Sequence, residues 1–453
     1  MHTNAIYCGD CQRVLANELE FPDNSVDLVY ADPPFFSDRS YEVIWNDGYE
    51  LRAFEDRWKG GIENYIAWMD PKLRAAHRVL KPTGSLYLHC DWHASHHLKL
   101  LLDRIFGSEN FLNEIIWKRA GTVKGNFGQG RRSFDPNTDS ILFYRKGNEN
   151  TFHPPFRKYS EDYKDEYYKY IEPESGRRYR LISMIGPGGA AKGNPRYEVM
   201  GVTRYWRYSK ERMKELIDQG LVVQTRPGSV PNRKLYLDVG KGVAIQTLWD
   251  DIPALSAQAA ERLGYPTQKP VALMNRIVEA SSNEGDIVLD PMCGCGTTIA
   301  AARALKRKWV GIDISPTACK LMVKRMHSLG EAITQLEIIG LPKTEDQIRE
   351  LQPFEFQNWV LQQMSGRASE RKVGDFGIDG WVIDGPVQVK QSEGVGRNVV
   401  DNFETAMRRF KRTKGYIVAL SFGRGAVEEA ARAKNQDGLD ITLKTLKELL
   451  DEG

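Results

Sequence analysis

Short apolar runs alternate with segments of helical period over most of the 453 residues. The run Val26 to Ala31 has the length of a buried strand and stops at Asp32, Pro33 and Pro34. From Asp70 to Gly84 the period is helical: Leu73, Ala76, His77 and Leu80 share one face, and Pro82 and Gly84 predict the stop. Ser85 to Asp91 predicts the next strand, His93 to Gly107 a helix, and Asn113 to Arg119 a further strand. This alternation predicts parallel pairing in an α/β sheet. From about residue 120 the pattern lapses into Gly-rich, basic and Tyr-rich stretches, so 120–245 reads as an insertion. Regular alternation returns with a helix (Pro270 to Ser281), a strand (Asp286 to Asp290), a Gly turn, a helix (Thr297 to Leu305) and a strand (Trp309 to Ile312). Residues 1–119 and 246–338 are thus two parts of one domain, the polar stretch 339–353 reads as a linker, and 354–453 as a separate module.

Composition leaves that picture intact: 41% of residues are hydrophobic and 27% charged. No apolar run approaches the ~18 residues of a membrane span, and "MHTNAIYCGD" does not open a signal peptide, so a cytoplasmic protein is expected. Charge changes the picture more. Lys118 to Lys234 holds 24 Lys and Arg against 13 Asp and Glu, an excess of 11; with a net +3 overall, the rest of the chain carries −8. A basic segment on an otherwise acidic protein points to a polyanionic partner. The six cysteines include "CGDC" and "CGC", but a zinc ribbon repeats its spacing and these do not match, so they read as buried small hydrophobes.

"VLDPMCGCGTT" is strand, Gly turn, helix. Gly294 and Gly296 allow close approach of a ligand to the backbone, and the helix start offers free N–H groups. Asp313 lies 23 residues after Asp290, where an acid binds ribose hydroxyls in a Rossmann-like site. The third Gly of GxGxxG is missing, which disfavours a dinucleotide and favours a nucleoside carrying a carboxylate, with Thr297 and Thr298 at the helix start as its expected anion site.

"ADPPF" has a different chemistry. The lone pair of an exocyclic base amine is delocalised into the ring, and acceptors for its two hydrogens favour the nucleophilic, pyramidal form. Asp32 supplies a carboxylate, Pro33 a carbonyl whose orientation Pro34 limits, and Phe35 a ring on which a flipped base stacks. A strand-ending Pro turn over core phenylalanines is the plainer alternative for these residues alone.

Together "ADPPF", "VLDPMCGCGTT", "YCGDCQRVL" and "YPTQKPVALMNRIVEASS" resemble the amino-group DNA methyltransferases, in the permuted order of their β class, over about residues 1–330. The resemblance implies a Rossmann-like S-adenosylmethionine-dependent methyltransferase fold with an inserted target-recognition region. It implies Asp32, Pro33, Pro34 and Phe35 as the catalytic tetrapeptide. Asp290, Pro291, Gly294, Gly296, Thr297, Thr298 and Asp313 would bind the cofactor, with Asp10 near its adenine and Gln268 and Lys269 beside its methionine part. Phe35 stands where Tyr is commoner. Asp at the first position of the tetrapeptide favours adenine N6 over cytosine N4 as the target. A catalytically silent DNA-binding or restriction protein on the same fold is the other reading, and RNA a lesser substrate. Double-stranded DNA is the implied partner, with a homodimer left open. Arg131, Arg132, Arg177, Arg178, Arg204 and Arg207 are candidates for phosphate or guanine contacts, while the Tyr159 to Tyr170 crowd reads as packing.

In the last hundred residues "FGIDGWVI" and "GPVQVKQS" predict adjacent strands, with Gln388 and Lys390 on one face. Asp379 and Gln388 are then the expected ligands of a divalent cation, Mg2+, beside a scissile phosphate, and Lys390 steadies the attacking water. This resembles the PD-(D/E)xK nucleases with Gln in the middle position, which implies a small C-terminal α/β nuclease-like domain and Glu355 as an accessory ligand. A cleavage-dead binding module is the alternative.

Overall fold

The computed structural model describes all residues except 37–38, 45–49, 57–60, 121–133, 135, 257, 264–266, 330–335, 337, 370–376 and 453. The chain divides into two compact units: Met1–His153 with Thr247–Gly453, and Pro154–Gln246.

The first unit is built on a nine-stranded sheet. Its spatial order is Leu248–Trp249, Phe111–Lys118, Thr138–Arg145, Leu80–Cys90, Val26–Ala31, Ile287–Asp290, Lys308–Asp313, Ala5–Cys8 and Ile338–Ile339. The central strands are mostly apolar, with charges at Asp27 and at the strand ends, because helices cover both faces of a mostly parallel sheet. Strands far apart in sequence become neighbours: Leu28 lies opposite Val288, and Val29 opposite Leu289.

Three expectations change here. The sheet is not wholly parallel, since Thr138–Arg145 runs antiparallel to both its neighbours. That strand belongs to the main sheet, so the compact inserted unit begins at Pro154 and not at 120. The expected Asp70–Gly84 helix is a helix over Gly61–Val79 followed at once by the strand Leu80–Cys90. Pro82 and Gly84 sit inside the strand, where the register skips from Val26 opposite Leu80 to Leu28 opposite Ser85. At such a bulge a missing N–H donor breaks no ladder bond.

The expected linker is also structured. Thr344 and Gln347 form a capping box on the helix Glu345–Arg349, and Ile348 is fully buried against Phe356, Val360 and Leu446. Beyond it, a five-stranded sheet runs Arg367–Ala368, Gly380–Val382, Gly385–Lys390, Lys414–Ala419, Asp440–Thr445, the last three strands parallel. The helices Arg397–Arg409 and Arg424–Asp437 contribute to the core around Phe403 and Met407. Pro353–Gln363 and Leu446–Glu452 contribute to a second core around Phe356, Val387 and Val418.

The second unit has its own antiparallel sheet, Val222–Val223, Asn232–Tyr236, Arg178–Ser183 and Tyr170–Ile171, a hairpin Arg196–Val199/Val202–Tyr205, and a small core around Trp206, Met213 and Leu216.

Candidate active site

Parallel strands all end on the same edge, and four adjacent ones deliver a carboxylate there. Asp32 follows Val26–Ala31, Asp290 ends Ile287–Asp290, Asp313 ends Lys308–Asp313, and Asp10 follows Ala5–Cys8. After Val26–Ala31 the chain continues to Leu80–Cys90 on one side, whereas after Ile287–Asp290 it continues to Lys308–Asp313 on the other. Such a switch point opens a crevice at the strand ends. Here the cleft is lined by both quoted motifs, "DPPF" and the Gly turn, together with Asp10, Gln268, Lys269 and Asp313.

The Gly turn is held by Asp313. Its Oδ2 accepts the Gly294 N–H at 2.8 Å and its Oδ1 the Ser315 N–H at 2.9 Å. Burial pushes the Asp313 carboxyl up to about 6, against those two N–H groups. Burial pushes Asp290 up to about 7, and the nearby Asp32 and Asp313 charges add to this, while the Thr298 hydroxyl and Met292 N–H oppose it. Gly296 has a different place from the other cofactor-loop candidates: it is absent from the cleft lining. At φ +75° it starts the helix Thr297–Ala304, and a Cβ there would lie 2.7 Å from Met322 Cγ. Thr297 and Thr298 both line the cleft; Thr297 Oγ1 accepts from Arg325 Nη1 at 3.0 Å, and the Thr298 hydroxyl lies beside Asp290. Cys293 and Cys295, like the other four cysteines, are buried and form no disulfide, and burial pushes the thiols of Cys293 and Cys295 up.

Asp32 meets a residue 237 positions away. Lys269 Nζ donates to Asp32 Oδ1 at 2.8 Å and Oδ2 at 2.5 Å, and lies 4.9 Å from the centre of the Phe35 ring. Phe35 in turn stacks on His89 (5.5 Å, 24°). His89 is fully buried and held at both nitrogens, Nδ1 to Tyr30 Oη at 2.8 Å and Nε2 to Asp139 Oδ2 at 3.1 Å. Against its burial, His89 and Arg119 hold the Asp139 carboxyl below its usual range. Tyr65 fixes the loop from below by donating to the Pro34 carbonyl at 2.7 Å. Phe36, next in sequence, is forced to φ +61°.

The remaining candidates are also engaged. Asp10 Oδ1 caps the helix Cys11–Leu15 and its Oδ2 pairs with Lys72 at 3.0 Å, whose Nζ lies 4.3 Å from the Trp68 ring centre. Gln268 braces its own loop, accepting from Leu263 N and donating to Glu261 O. Sequence reading missed Lys72, Trp68, Tyr30, His89, Asp139 and Arg325. Tyr30, Trp68 and Lys72 line the cleft, while His89, Asp139 and Arg325 stand behind the residues that do.

In the C-terminal sheet, Asp379 Oδ2 accepts the N–H of Val389 at 2.7 Å, which places its carboxylate between Gln388 and Lys390 on the adjacent strand. Gln388 and Glu355 are both buried, and Gln388 Oε1 and Glu355 Oε1 have no hydrogen-bond partner. The orphaned acceptor of Gln388, beside Asp379, fits a site that takes a cation, whereas Glu355 is engaged by Thr317 through its other oxygen. Among the described residues a different acidic group, Asp401, Glu404 and Glu429, is close enough to share an ion, but Arg397 and Arg432 already neutralise it.

In the second unit, two of the expected DNA-contacting arginines are committed to internal partners. Arg177 pairs with Asp238 through two 2.9 Å bonds, and Arg178 pairs with Asp165 and two backbone carbonyls. Arg204 and Arg207 are exposed. Arg131 and Arg132 lie outside the described residues.

Residues 26–324 match the N6/N4 family described as DNA methylase, and residues 348–452 match a family described as restriction endonuclease. The type II methyltransferase M.EcaI of Enterobacter cloacae is 31% identical over 324 residues, covering 70% of this chain and 68% of that protein. The DNA adenine methyltransferase YhdJ of Escherichia coli is 26% identical over 69% of this chain and 80% of its own. The StyLTI Mod subunit of a type III restriction-modification enzyme from Salmonella typhimurium is 25% identical over 67% of this chain, which spans only half of that subunit. A putative DNA modification methylase from Thermus thermophilus, solved with S-adenosyl-L-methionine, overlaps 75% of this chain and 99% of its own at a TM-score of 0.40 and 19% identity.

Proposed function

The chain belongs to the N6/N4 DNA methylase family, and from that premise we propose that it methylates the N6 amine of adenine in double-stranded DNA, with S-adenosylmethionine as donor. The observation that carries the reading is the pairing of Val26–Ala31 with Ile287–Asp290, which sets the Asp32 socket and the Gly294 turn in one cleft.

The cleft fits the cofactor by charge. Asp10 and Asp32 are matched by Lys72 and Lys269, which leaves Asp290 and Asp313 as the carboxyls without a basic partner in the cleft lining. Bound there, S-adenosylmethionine supplies an electrophilic methyl on a sulfonium. Asp313, Asp290 and the Gly294 turn would hold its nucleoside end, with Asp10 at the same edge. The protein's own work falls on the target base. Phe35, backed by His89, stacks the flipped ring. Asp32 accepts N–H from the amine, localises its lone pair, and stands as the nearest carboxylate for the proton released on transfer. Base stacking and an amine acceptor are the needs of an exocyclic nitrogen, and neither requires a covalent enzyme intermediate.

Sequencing DNA from cells that express the chain, with detection of modified bases, tests the assignment. N6-methyladenine at a defined site is expected, and its loss with Asp32→Ala. Modification confined to cytosine N4 would overturn the choice of base, and full activity of Asp32→Ala the choice of site.

The C-terminal module is proposed to cleave DNA, which would join modification and restriction in one chain. The match of 348–452 to a restriction endonuclease family and the orphaned acceptor on Gln388 beside Asp379 support this. Glu355, Asp379 and Gln388 would hold a divalent cation, which lowers the pKa of bound water, and Lys390 would orient that water. Plasmid nicking that needs Mg2+ and disappears in Lys390→Ala is the expected result; nicking that persists in the variant would remove the assignment.

A further inference from the structure

Lys269 occupies the place the proposed reaction needs for its substrate. Its ammonium takes both oxygens of Asp32 and lies over the Phe35 ring, the two groups offered to the target base. The pair is nearly dry, with side-chain exposures of 9% and 18%. An ammonium so desolvated leaves one carboxylate only when another anion receives it.

The other basic group of the cleft cannot serve that second anion as readily. Lys72 is held between Asp10 and the Trp68 ring. The loop that carries Lys269 is pinned by both hydrogen bonds of the Gln268 amide and by Val271 N–H to Glu261, so the moving part is the lysine stem itself. One face of Phe35 is packed by His89, which further limits where a base can stack while the ammonium is present.

From this geometry we infer that Lys269 is a two-position gate. It closes Asp32 while the cofactor cleft is empty, and the carboxylate of the cofactor's amino-acid part draws it away. The consequence is an order of events. The donor enters first, Lys269 shifts to its carboxylate, and only then does Asp32 accept the amine. The gate prevents the protein from holding a base out of the helix with no methyl to transfer. It also removes a positive charge from beside Asp32 when a strong acceptor is needed. This inference rests on the methyltransferase reading above.

The test uses the full chain and a duplex carrying 2-aminopurine at the target position found by sequencing. Its fluorescence rises when the base leaves the stack. Two probes differ in one feature: sinefungin carries the amino-acid carboxylate and 5′-methylthioadenosine lacks it. Wild type is expected to brighten the duplex with sinefungin, and not alone or with 5′-methylthioadenosine. Lys269→Met, of similar length and uncharged, should brighten it with no cofactor at all. The same variant should lose about tenfold or more of the preference for sinefungin over 5′-methylthioadenosine, the worth of one charged hydrogen bond. The wild-type comparison of the two probes stands even if the variant does not fold. Equal brightening of wild type with and without sinefungin would overturn the gate, as would a Lys269→Met protein still dependent on it. Wild-type methylation, measured on the same preparation, separates the two failures. Methylation with cofactor-independent flipping removes the gate alone, and no methylation removes the reading beneath it as well.

Discussion

Thr317 Oγ1 donates a 3.3 Å hydrogen bond to Oε2 of Glu355, a contact that ties the rim of the cofactor cleft to the first long helix of the nuclease-like module. Thr317 begins the turn after Ser315, whose N–H holds Asp313. Glu355 is 3% exposed, and burial pushes its carboxyl up to about 7, helped by the Asp313 charge and opposed by Ser315 and Thr317. The module is thus seated on the methylase part through a buried carboxyl.

That seat has a pH signature. Glu355, Asp290 and Asp313 all have raised values, to about 7, about 7 and about 6. Between the unfolded carboxylate range near 4 and these folded values, the native state binds more protons than the unfolded one, so stability falls as pH rises through that window. Glu355→Gln removes one contribution. Relative to wild type it should gain on the order of 1–3 kcal/mol in chemical denaturation at pH 8, and no such gain at pH 4. A gain of equal size at both pH values would disprove the linkage.

Asp32→Ala should lower methyl transfer at least about 100-fold, because the amine loses its carboxylate acceptor. The same change leaves Lys269 without its partner. Sinefungin affinity, read by calorimetry, should therefore stay level or rise.

His89→Ala removes the platform behind Phe35 and leaves Tyr30 Oη and Asp139 facing a void. It should cost about 2–4 kcal/mol of stability. Tyr30→Phe is milder, and in it kcat should fall while cofactor affinity does not change, as measured by methylation kinetics and calorimetry.

Gly296→Ala places a Cβ against Met322 at a left-handed φ of +75°. A cost of about 1–3 kcal/mol is expected from thermal or denaturant melts. The loss should appear without the cofactor, since this residue shapes the turn and does not line the cleft.

In the second unit, Arg204→Ala and Arg207→Ala should each weaken DNA binding and lower the slope of log affinity against log salt by about 1 if the residue meets a phosphate. Arg177→Ala should instead weaken the unit's fold, because its partner Asp238 is internal to the unit.

Local sequence was enough for the parts whose chemistry is local. Asp32 to Phe35 and Asp290 to Thr298 are continuous stretches at strand ends, and their backbone requirements, two prolines in one and two glycines in the other, are written in the residues themselves. The alternation of apolar runs and helical segments sufficed for an α/β sheet, and the basic excess pointed to the inserted unit. Where one element yields to the next was less legible: Pro82 reads as a helix stop, yet a bulge lets a strand absorb it.

Only the tertiary structure decided which side chains meet. Lys269 reaches Asp32 across 237 residues, His89 reaches Asp139 across 50, and Glu355 reaches Thr317 across 38. Each meeting follows from strand order and helix docking, which are set by burial summed over the whole sheet. A buried charge then takes whatever opposite charge that packing delivers, and no residue's immediate neighbours in the chain carry that information.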